Sequence, residues 1–189
     1  MRAIALLGAA LALVAFCNVG RAQDGASCLL TAADKVANAK LSFDDFDQKG
    51  VAPSTWRQLE NRGCHERAVA AADDYLINGP ALTASQKEDV LFHESQSLAM
   101  LGRNEDAAHM VAAAIPPDRA NHGDLDWTTY LVGTWAFLVG NKPLLDASGA
   151  TMAKEIGEPN RIDGAVLRGL SACFGKPYAV AYNDCRPKT

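Results

Sequence analysis

The sequence has no long window in which Val, Ile, Thr and aromatic residues alternate, and that scarcity argues against a β-sheet. Gly-x-Ser-x-Gly, a P-loop and the Rossmann glycine fingerprint are all absent, which excludes the usual nucleophile elbow and phosphate cradles. No Cys-x-x-Cys pair occurs, so the spacing of a zinc or thioredoxin-like site is missing. Basic residues are in deficit, with 18 Lys+Arg against 22 Asp+Glu and a net charge of −4. Nucleic acid as the main partner would call for the opposite balance. Beyond the first 22 residues no apolar run approaches the ~20 residues of a membrane span.

What is present is an ordinary globular composition, 49% hydrophobic and 21% charged, over 189 residues, a length suited to one domain. The chain opens with a positive Arg2, an apolar run from Ala3 to Cys17, and small residues at Gly20 and Ala22. This pattern predicts a signal peptide over 1–22, cleaved after Ala22. The alternatives are a retained anchor, for which the run is short, and a lipid on Cys17, where the preceding Phe16 is too bulky. Cleavage of 22 of the 189 residues leaves 167 and removes Arg2 and Arg21, taking the charge from −4 to −6. We therefore expect a periplasmic or secreted protein with no membrane span after cleavage.

Cys28, Cys64, Cys173 and Cys185 remain, an even number in an oxidising compartment, and we expect two disulfides. In an extended helical array Cys64 and Cys173 would lie far beyond the ~7 Å Cα reach of a disulfide. Of the two pairings left, Cys28–Cys64 with Cys173–Cys185 keeps each bridge near one end and is the expected one. It requires the chain to turn back at Asn183-Asp184. Cys28–Cys173 with Cys64–Cys185 is the other.

Alanine-rich runs such as Ala70-Ala71-Ala72 and Ala112-Ala113-Ala114 favour helix. Val90, Leu91, Leu98 and Leu101 trace an apolar helical face whose one polar member is Glu94. Gly and Pro punctuation predicts helices over about 54–61, 64–77, 86–101, 104–115, 127–139, 143–156 and 160–174, with a short last one after Pro177. Ser85 and Glu88 suggest a capping box for the third, and Asp124 or Asp126 caps the fifth. Residues 23–53 read as an irregular N-terminal segment.

Gly63, Gly102, Gly140 and Gly175 each follow an apolar helix and precede another, at separations of 39, 38 and 35 residues. Such a period implies stacked helical hairpins. The window Phe92 to Asp118, with Ser95, Leu98, Gly102, Ala107 and Ala114, resembles a tetratricopeptide repeat (TPR). The TPR-like region covers 54–189. The implied fold is all-α: antiparallel helical hairpins stacked as a short right-handed superhelix. The strings Phe46-Asp47-Gln48 and Cys173-Phe174-Gly175-Lys176-Pro177-Tyr178 also resemble a group of uncharacterised exported bacterial proteins, a likeness that carries no activity.

The TPR resemblance implies that ligand-facing positions are found by counting back from the turn glycine. They are Arg57, Gln96 and Thr134, then Phe92 and Tyr130, then Asp89 and Trp127, with Glu60 and Asn61 beside Gly63. The implied function is a scaffold binding a protein or peptide partner, without catalysis or cofactor. The alternatives are an envelope enzyme with scattered catalytic residues and an immunity-type protein that neutralises a toxin. Among the four histidines, His93-Glu94 begins like a zincin motif, but Ser97 stands where the second His belongs. His65 and His109 show no paired acid in the sequence, and His122 lies between helices. The carboxylate pairs Asp44-Asp45, Asp73-Asp74 and Asp124-x-Asp126 lack the glycine and closing Glu of a calcium loop. No metal site is expected.

Overall fold

A computed structural model describes residues 28–118 and 124–187. The expected signal peptide and His122 lie outside them. Among the described residues the fold is all-α, with no β-strand. The helices are α1 (Ala32–Asn38), a π-helix (Asp44–Lys49), α2 (Trp56–Asn61), α3 (His65–Asn78), α4 (Ala84–Met100), α5 (Asn104–Ala114), α6 (Trp127–Leu138), α7 (Lys142–Met152), α8 (Glu158–Ala172) and α9 (Tyr178–Asn183). None is long and apolar enough to cross a membrane.

Local chemistry sets the helix starts. Asp126 accepts a hydrogen bond from the Thr129 backbone and caps α6, while Asn141 does the same for α7 with Leu144. Pro143 and Pro159 occupy first-turn positions, where a missing N–H costs nothing. The capping box of α4 is Thr83 with Gln86, not Ser85 with Glu88, because the helix begins two residues earlier than the sequence suggested.

The segment expected to be irregular holds α1 and the π-helix, and it is fastened to the rest. Phe46 is fully buried and stacks on Tyr75 with ring centroids 3.9 Å apart. The Asn38 amide donates to the Ser54 carbonyl at 2.8 Å, and the Ser54 hydroxyl donates back to Asn38 Oδ1 at 3.1 Å. These ties join residues 16 apart, beyond the reach of any helical period.

The four turn glycines sit at φ +72°, +76°, +76° and +85°, the left-handed region that favours glycine. In the first three turns the residue after the glycine donates to the carbonyl five positions back: Cys64 to Leu59, Arg103 to Leu98 and Asn141 to Ala136. That bond satisfies an orphan carbonyl at the helix end. The fourth turn departs, since Lys176 bonds Cys173 and Pro177 precedes the next helix.

Consecutive helices pack in order from α2 to α9. Small buried residues at Ser95, Ala107 and Ala114 lie where α4 and α5 pair. Helix α6 is buried nearly all round among α5, α7 and α8. Helix α9 packs on α8 and also reaches back to α4, so the helices do not form the open, extended array that the sequence spacing suggests. Cys28–Cys64 and Cys173–Cys185 are bonded, with Cα separations of 5.4 and 6.1 Å. Helix α9 ends at Asn183, and the chain turns there, as the second bridge requires.

Candidate functional site

Helices α2, α4 and α9 enclose a cleft of 410 Å³. Arg57, Glu60 and Asn61 of α2, Gln96 of α4, and Tyr182 and Asn183 of α9 line it, with His65 and Met100. Four residues counted back from the turn glycines, Arg57, Glu60, Asn61 and Gln96, therefore meet in one place.

The cleft wall is held by a chain of polar contacts behind it. Trp56, buried at the start of α2, stacks on the His93 imidazole with centroids 4.4 Å apart. His93 Nδ1 lies 2.8 Å from Asp47 Oδ1, and Asp47 is fully buried on the π-helix. The Arg57 guanidinium lies 4.4 Å from the Trp56 ring centroid, and its Nε donates to the Asp47 carbonyl at 2.8 Å. Trp56 Nε1 donates to Ser97 Oγ at 3.1 Å, and Ser97 Oγ donates to Glu60 Oε2 at 2.7 Å. Glu60 Oε2 also lies 2.9 Å from His65 Nδ1, so His65 does have a paired acid across the first turn. Arg57 and Glu60 at the α2 wall are thus oriented before any ligand arrives.

Helix α9 supplies the opposite wall. Tyr178 and Tyr182 stack with centroids 5.5 Å apart. Burial holds both phenols above their ordinary pKa, so they stay neutral. The Tyr178 hydroxyl is buried without a well-formed hydrogen bond, although the Gln96 amide lies near enough to favour its ionised form slightly. Farther along the same side, burial pushes Asp163 of α8 up to about 6, opposed by Arg186 and His93.

The aromatic part of the expected surface is elsewhere. Phe92, Trp127, Tyr130 and Thr134, expected to face a ligand, are all buried in the core. Phe92 meets Trp127 and Tyr130 edge-on at 5.1 and 5.3 Å. Because α6 is apolar nearly all round, Trp127 and Tyr130 pack against neighbouring helices, while the partly buried Trp135 lines a separate cavity of 600 Å³ with Leu138, Val139 and His109. Asp89 is half-buried on the first half of α4 and does not line the cleft.

Sequence reasoning missed His65, Met100, Tyr182 and Asn183. Glu60 and His65 flank Gly63, and that proximity was a usable signal. The α9 residues had none, since only tertiary packing brings them to α2. Comparison of the chain with protein-family models, curated proteins and solved structures gives no significant match.

Proposed function

We propose that this chain is an exported, TPR-like helical-repeat scaffold that binds a peptide segment of a protein partner in the cleft between α2, α4 and α9. The observation that carries the reading is the convergence of Arg57, Glu60, Asn61 and Gln96 with Asn183 and Tyr182 on one cleft. Carboxamides offer one donor and one acceptor face each, the complement of a peptide group, and three of them line this cleft. A volume of 410 Å³ suits a few residues of extended chain rather than a whole domain surface. The repeated glycine turns and the buried small residues Ser95, Ala107 and Ala114 support the TPR-like assignment.

The test is a peptide selected from a displayed library by the wild-type protein and measured by fluorescence polarisation. Asn61→Ala with Gln96→Ala should weaken its binding tenfold or more while melting stays within a few degrees. Unchanged affinity removes this cleft from consideration. Export has its own test. Mass spectrometry of envelope protein should find an N-terminus at Gln23, and a chain retaining Arg2 or carrying lipid on Cys17 overturns it.

The enzyme reading has one observation in its favour, the imidazole of His93 oriented by buried Asp47 at 2.8 Å. The same pair has a structural role, because it ties the π-helix to α4.

A further inference from the structure

The opposite face of α4 borders a second cavity, of 340 Å³, between α3, α4 and α5. Glu94 lines it, yet is only 1% exposed, and its Oε2 has no hydrogen-bond partner. A buried carboxyl left with an orphan oxygen costs stability, and such a cost marks a function or a missing partner. The Asp73 carboxyl of α3 lines the same cavity. Burial and that neighbouring carboxyl both disfavour the ionised form of Glu94.

The surroundings narrow what else could sit there. Glu66 joins Asp73 from α3, and Arg103, Asp106 and His109 face the cavity from the α5 side. Arg103 Nε is engaged by Asp106 at 2.8 Å in an exposed pair, and its charge still acts on Glu94. Glu66, Asp73 and Asp106 outnumber that one cation, so the cavity disfavours anions. Val69, Ala70, Leu98 and Met110 give the cavity apolar walls. Glu60, Tyr178 and Tyr182 approach α4 from its other face and do not reach this cavity. Calcium takes six to eight oxygens, and no group of three or more ligating side chains suited to a metal ion exists among the described residues. A primary ammonium is a compact charge with three donors on an aliphatic stem, which matches two adjacent carboxyls beside an apolar wall.

We propose that this cavity binds a primary alkylammonium group, its nitrogen seated between Glu94 and Asp73 and its stem lying on Val69, Leu98 and Met110. The cation takes the place of the proton on Glu94, so binding releases that proton. Burial first, then Asp73, raises Glu94 to about 8, with Arg103 opposing. Below that pH the association constant rises about tenfold per unit, as one-proton linkage requires.

The experiment is calorimetry on the whole disulfide-bonded protein between pH 6 and 9, in two buffers of different ionisation enthalpy. The probes are cadaverine and, separately, Nα-acetyl-lysine methylamide. We expect one-to-one binding, release of one proton, and the tenfold rise per unit below pH 8. Tighter binding of cadaverine identifies a free diamine as the source, and tighter binding of the lysine derivative identifies a lysine side chain. Glu94→Gln preserves shape and should weaken either probe at least tenfold and flatten the pH dependence. Asp73→Asn, at an exposed position, should weaken binding similarly. Failure of both probes to bind at millimolar concentration, displacement by equal sodium, or full affinity in Glu94→Gln overturns the proposal.

Discussion

Gly133 stands in the middle of α6 where a Cβ would lie 2.7 and 2.8 Å from the Leu167 methyls and 3.0 Å from Ser148 Cβ. Leu167 and Ser148 are both buried, so neither moves without disturbing the contacts of α7 and α8. We predict that Gly133→Ala lowers stability by roughly 1–3 kcal/mol, the usual range for overpacking, even though alanine is the better helix former. Urea unfolding checks it, and a variant as stable as wild type refutes the close approach. Glu94 gives a second residue-scale prediction. Its pKa is about 8 in the fold against 4.5 ordinarily, because burial penalises the charged form. The folded chain therefore binds a proton that the unfolded chain has released between those values, and stability falls as pH rises from about 4.5 to about 8. Glu94→Gln removes that slope. It should match wild type near pH 4.5 and become progressively the more stable of the two as pH rises towards 8. Paired urea titrations at the two pH values decide it. Neither residue was legible in this role from sequence. Glu94 stood out only as a polar member of an apolar face, and nothing local shows that α3 sets Asp73 against it.

The hairpin was the legible element. A glycine that ends a helix in the left-handed conformation leaves its mark within a few residues, so Gly63, Gly102 and Gly140 announced their turns. Gly102 has no atom within 4 Å of the place a Cβ would occupy, so its requirement is conformational, not spatial. We predict that Gly102→Ala costs about 1 kcal/mol and Gly102→Asn less, since asparagine tolerates this conformation better. Equal unfolding midpoints for the two variants would count against that cause. Helix starts were legible in kind and missed by two residues at α4, where Thr83 rather than Ser85 supplies the cap. The order of residues 28–53 was not legible. Its determinants beyond the expected Cys28–Cys64 bridge are Phe46 on Tyr75 and Asn38 on Ser54, pairs whose partners lie 29 and 16 residues apart. Turn spacing does bring Arg57, Glu60, Asn61 and Gln96 to one cleft, but Asp89 and Thr134, counted the same way, do not reach it. The aromatic half failed because helical spacing alone cannot tell a buried helix from one that faces a groove.

At the scale of the whole molecule the two disulfides act on different ends of the array and should have separable effects. Cys28–Cys64 joins the N-terminal segment to the first turn and spans 36 residues. Cys173–Cys185 spans 12 residues and folds the C-terminal tail back onto α8, where the Arg186 backbone would lie 2.8 Å from a Cβ on Gly169. Loop-closure entropy assigns the longer bridge about 4 kcal/mol and the shorter about 3 kcal/mol. Their structural consequences differ more than these figures do. Helix α9 has six residues, too few to be stable alone, and it forms one wall of the cleft. With Cys173→Ser and Cys185→Ser, hydrogen exchange of the α9 amides should quicken many-fold, while protection in α4 and α6 changes only by the global loss of stability. With Cys28→Ser and Cys64→Ser, the faster exchange should fall on α1 and the π-helix instead. If removal of the second bridge leaves α9 as protected as α6, the packing of Tyr178 and Ala181 alone holds the wall in place, and the bridge is not what closes the cleft.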